Sequence, residues 1–219
     1  MIAPIGIVLG APITLALRTL PIGRDDAERG LRAWALSMIH SKYASVVTHP
    51  IVALAIFDGS LFALYFTPLF GELMASHFGH LLMNFHFLAA GLLFFYVIIG
   101  VDPNPRRIHH LVRIVLLLAA MSIHAFFSIA LMSTTELIDS GYYAALERPW
   151  ATDLLADQKA GAAIGWAMGE IPIVLALIAT FIQWMRSDRR EAKRADRDER
   201  ELAEYNEYLE RLARKNKDS

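Results

Sequence analysis

Long apolar runs alternate with short polar connections along this chain. The runs at about 46–70, 77–101, 108–133 and 161–185 are each long enough to cross a hydrocarbon core as a helix, and a fifth, at about 2–17, is shorter. Lipid leaves backbone groups no partner but the helix itself, and the two-residue alternation of a barrel strand is absent, so the pattern predicts helices. The expected fold class is all-α, a polytopic transmembrane bundle of about five spans. It divides into the bundle, 1–185, and a charged helical tail, 186–219.

The polar connections carry the second pattern. Lys and Arg number five between Arg18 and Lys42, three in the 102–113 link and eleven after Met185, whereas the 71–76 link has none and 134–160 has two against five acids. Alternate connections are therefore basic, which predicts the N-terminus outside and the C-terminus inside. Between Arg18 and Ser45, Leu31, Trp34, Met38 and Ile39 have the spacing of an amphipathic surface helix. In the tail, Leu202, Tyr205, Leu209 and Leu212 form a stripe on an otherwise charged helix that reads as solvated.

Overall composition adds two exclusions. The chain of 219 residues is 55% hydrophobic with a formal net charge of -1, which gives no ground for nucleic-acid binding. It has no cysteine, so disulfides and thiolate metal sites are out, and soft metals have only Met and His to bind.

Four ionisable residues interrupt the spans: Asp58, His86, His124 and Glu170. Each lies about 10 to 12 residues from the outer end of its span, or about 15 Å deep, although successive spans run in opposite directions. Ionisable groups at such depth are costly and mark functional positions by default. Nearer the outer mouth lie His77, His80, Met83 and Asn84, with Asp157 and Gln158 before the last span. Helical rotation separates His77 from His86, so the expectation is two stations, an outer one of His77, His80 and Met83 and a deeper one of His86 with His124. Imidazole with thioether points to copper, the His and carboxylate subset would suit zinc, and two histidines on different helices are also the pattern of a haem. Met121, Met132 and Met168 read as packing residues, and His40, His49, His109 and His110 as interfacial. No GxSxG, HExxH or phosphate-cradling loop is present, so no enzyme is expected.

Four stretches, "APIGIVLGAPITLALR", "HFGHLLMNFHFLAAGLLFFYVIIGVDPNP", "DQKAGAAIGWAMGEIP" and "YNEYL", resemble the CtaG family of bacterial membrane proteins, assembly factors for haem-copper cytochrome c oxidase. The resemblance runs from residue 3 to about 212. It implies a part in maturing the oxidase, with cytochrome c oxidase subunits as partners and copper supplied from the outer side. The positions matching the family's polar pattern are His77, His80, His86, Asp102, His124, Asp157, Gln158 and Glu170. Family members carry further helices upstream, with a His- and Met-rich segment just before the equivalent of "APIGIVLGAP", so this chain is expected to be a fragment, a shortened reading of its gene or the C-terminal part of a larger protein. The rival readings are an intramembrane b-type haem protein with iron between His86 and His124, and a copper or proton transporter working through Asp58 and Glu170.

Overall fold

The computed structural model describes residues 2–20, 30–104, 108–138, 141–146, 149–150 and 153–217, with side chains as far as Leu209. Ten helices occupy the described residues, without a strand among them: α1 (Ile2–Leu9), α2 (Pro12–Thr19), α3 (Leu31–Ile39), α4 (Lys42–Val47), α5 (Pro50–Tyr65), α6 (Leu69–Met74), α7 (His77–Ile99), α8 (His110–Met132), α9 (Tyr142–Ala145) and α10 (Leu154–Lys217). The protein is thus an all-α bundle, as the hydrophobic pattern predicts.

Four stretches are long and apolar enough to span a membrane: 2–19, 77–99, 110–132 and 154–209. The expected span at 46–70 is not one helix. Thr48 ends α4, Pro50 opens α5, and the Thr67-Pro68 step separates α5 from α6. Proline is favoured at a helix start and breaks a helix interior, which accounts for both interruptions. What remains, Pro50–Tyr65, is 16 residues, about 24 Å of helix against about 30 Å of hydrocarbon. The last helix starts seven residues before the expected 161 and continues without a break through the expected boundary at 185. Of the predicted surface helix, Leu31, Trp34 and Met38 are all exposed on α3.

The core lies between α1, α5, α7, α8 and α10. Phe57 of α5 stacks on Phe94 of α7 with ring centroids 4.5 Å apart, and Val8, Ala53, Phe95, Leu117, Ala120 and Ile173 close around them. Small residues let the helices approach. A Cβ at Gly91 would lie 2.7 Å from the Pro4 ring, so α1 rides in a notch of α7; one at Gly79 would lie 2.1 Å from the Leu73 carbonyl oxygen, where α6 folds back on α7.

Each end of the bundle is tied by one polar side chain. At the end where α7 leaves the core, buried Asp102 accepts hydrogen bonds from the amides of Ile13 (3.3 Å) and Thr14 (2.7 Å) and from the Thr14 hydroxyl (2.6 Å). Pro12 has no N–H, so these two amides are the first free donors of α2, and Asp102 caps them from 88 residues away. The capping bonds also hold Ala11 in a left-handed conformation, φ 49°, that an alanine otherwise avoids. At the opposite end, Gln158 donates to the Thr134 hydroxyl and the Glu136 carbonyl and accepts from the Ile138 amide, fixing the segment after α8 across the mouth of the bundle.

Candidate functional site

The small residues of α10 set the site. Gly161, Gly165 and Gly169 recur every four residues, the spacing that lets two membrane helices approach closely. On the facing helix, α8, His124 lays its ring into this track: a Cβ at Gly169 would sit 2.3 Å from His124 Nε2. The Gly165 backbone lies beside the ring without reaching hydrogen-bond geometry, so neither ring nitrogen has a hydrogen-bond partner among the described residues. His124 is 6% exposed.

Two cavities meet at this ring. The outer, about 410 Å³, runs from Asp157, Gln158, Ile138 and Tyr143 at the tied mouth, between Phe127 and Tyr65, down to His124. The inner, about 270 Å³, continues past His124, Gly165 and Gly169 to Met168, Phe57, Gly91 and Pro4. His124 is thus the polar group at the junction of a path into the core. Pro172 lies one turn beyond; lacking an N–H, it leaves the Met168 carbonyl without its helical donor at the same level.

Asp58 on α5 is 1% exposed, and neither carboxylate oxygen has a hydrogen-bond partner among the described residues. Its electrostatic neighbour is Glu170 of α10, which also acts on His124. Glu170 is half-buried and accepts a hydrogen bond from the Trp166 indole N–H at 3.1 Å, one turn earlier on the same helix. Asp58, His124 and Glu170, on three helices, are therefore electrostatic neighbours.

The other expected residues do not join them. His86 is exposed on α7 and lines neither cavity at His124, so the deep station of His86 with His124 is not brought together within this chain, nor is the pair on which a haem would rest. The reason is architectural: α5 packs against both α7 and α8 and stands between them. His77 and Asn84 are exposed, whereas Met83 packs toward Leu64, Phe70 and Met74, and His80 has a buried Nε2 without a hydrogen-bond partner among the described residues, its ring 6.2 Å from that of Tyr142. Asp102 and Gln158 serve the bundle ends, and Asp157 is exposed at the outer cavity's mouth. Among the described residues, no three His, Asp or Glu side chains converge on a point that would hold a metal ion. The residues that sequence reasoning passed over are Gly165, Gly169 and Met168. The four-residue glycine spacing was a readable signal for the first two; nothing local distinguished Met168 from a packing methionine.

An all-helical bundle in which four stretches are long and apolar enough to cross a membrane defines a class: an integral membrane protein. Comparison with known proteins makes this more specific. The chain belongs to the Caa3_CtaG family, cytochrome c oxidase caa3 assembly factors, whose model matches residues 1–187. It is 43% identical over 192 residues to uncharacterized proteins of Mycobacterium bovis, Mycobacterium tuberculosis and Mycobacterium leprae, an alignment covering 88% of this chain. The chain spans 29% of the length of each of these relatives. No solved structure matches it.

Proposed function

We propose that this chain is a non-catalytic membrane factor in the maturation of a caa3-type cytochrome c oxidase, and that it takes up Cu(I) as cargo from the outer face of a bacterial cytoplasmic membrane. In this reading the N-terminus and the mouth at Asp157 lie outside, and the tail of α10 lies in the cytoplasm, as the distribution of Lys and Arg requires. His80 and Met83 stand near the mouth, and His124 with Met168 forms the inner pair.

The observation that carries the proposal is the state of His124. A buried imidazole without a hydrogen bond carries a desolvation cost of about 1–3 kcal/mol, which a cargo ion reaching it through the cavity would offset. In a chain without cysteine, imidazole and thioether are the donors left to favour Cu(I), and both line the inner cavity. Glu170 acts electrostatically on both His124 and Asp58, so a carboxyl group stands near the site.

The test is Cu(I) competition with a chromophoric chelator on the purified full chain in detergent. His124→Ala and Met168→Leu should each weaken binding by at least about tenfold, and His86→Ala should leave it unchanged. Binding that is absent from the parent chain, or indifferent to His124→Ala, would sink copper handling at this site and leave the oxidase-assembly role to the family alone.

A further inference from the structure

Where α10 leaves the core, its charges sort by face. Arg186, Arg189, Arg190, Lys193, Arg194 and Arg197 follow one another at i, i+3, i+4, i+7, i+8 and i+11, and all are exposed. At 100° per residue they share an arc of about 140°. Asp188 falls on the other side of the helix, and Glu191, Asp196 and Asp198 border the arc. Ser187 and Glu191 mark the side turned to the bundle: Ser187 is half-buried, its hydroxyl donates to Glu191 at 3.3 Å, and Glu191 acts electrostatically on His110, the first residue of α8. Arg186, Arg189 and Lys193 lie roughly 120–180° round the helix from that side and point away from the protein, whereas Arg194 borders it.

Such a ridge is unfavourable in an isolated helix. Arg186–Arg190, Arg189–Lys193, Arg190–Arg194 and Lys193–Arg197 are like-charged pairs at i,i+4, each destabilising. A helix adapted to water alone alternates the sign of its charges along a face. An external anionic surface would compensate the repulsion, and the position of the ridge says which surface is within reach. His110 begins α8 at the level of Glu191, so residues 186–194 stand where the spans end. They cover about 12 Å along the axis, within the headgroup zone and one Debye length of it.

We propose that this ridge of α10 binds the anionic phospholipid headgroups of the leaflet from which the helix emerges, fixing the depth and rotation of α10 and with it the glycine track that seats His124. The inference is independent of copper and of which side of the membrane that leaflet faces.

Native mass spectrometry of the full chain, released from detergent doped with equal amounts of phosphatidylglycerol and phosphatidylcholine, reads the preference directly. The parent chain should retain phosphatidylglycerol over phosphatidylcholine. The variant Arg189→Gln/Arg190→Gln/Lys193→Gln/Arg194→Gln should retain the two equally, and the control Arg211→Gln/Arg214→Gln/Lys215→Gln/Lys217→Gln, which loses the same charge at the distal end of the tail, should keep the preference. Equal retention by the parent chain overturns the proposal and leaves the ridge to an acidic protein partner. Equal loss in both variants overturns it too, because net charge rather than the ridge would then set the preference.

Discussion

At Gly169 a single hydrogen atom decides whether two helices meet. The His124 ring occupies the space a side chain would need, so Gly169→Ala must push α8 and α10 apart or turn the imidazole out of the cavity junction. Overpacking of this kind costs about 1–3 kcal/mol, to be seen as a lowered midpoint of thermal unfolding in detergent. Gly161→Ala, eight residues earlier on the same track with no atom within 4 Å of its added Cβ, is the control. It should be neutral or slightly stabilising, because alanine is favoured over glycine inside a helix. Equal effects at the two positions would mean that the close contact is not at His124. His86 teaches the converse lesson. Its distance along the span was legible from the sequence, but distance does not give azimuth, and α7 presents it away from His124.

The elements depend on partners far away in sequence. Helix α2 is only eight residues long, begins after a left-handed alanine and has no side-chain cap of its own; what stabilises its start is Asp102. Asp102→Ala should therefore destabilise α2 by about 1–2 kcal/mol, as loss of an N-cap does. Hydrogen exchange should show the amides of Ile13 and Thr14 exposed first, while Asp102→Asn, which keeps one acceptor oxygen, should recover part of the protection. Unchanged exchange in Asp102→Ala would mean that the packing of α1 on α7 alone holds this end. The apolar runs of α7 and α8 were plain in the sequence; the helix start at Pro12 was not, since 2–17 read as one span. The capping partner was not, because a carboxylate just beyond a span end reads equally well as a surface charge or a site residue until the chain has folded back on itself.

For the whole molecule the open quantity is orientation, and the absence of native cysteine makes it directly measurable. In intact cells, a membrane-impermeant maleimide should label Thr135→Cys, exposed near the mouth, and should reach Ala195→Cys on α10 only after permeabilisation; the reverse pattern would invert the topology. The sequence by itself determined membrane class and helical content, because these follow from one-dimensional quantities, run length and hydropathy. The tertiary structure alone decided which polar residues meet. Asp58, His124 and Glu170 come together because α5 and α10 both pack on α8, and His86 stays apart because α5 stands between α7 and α8. Helix rotation and neighbour choice arise from close packing at Gly91 and Gly169, through contacts between residues dozens of positions apart, and no periodicity within one helix encodes its partner.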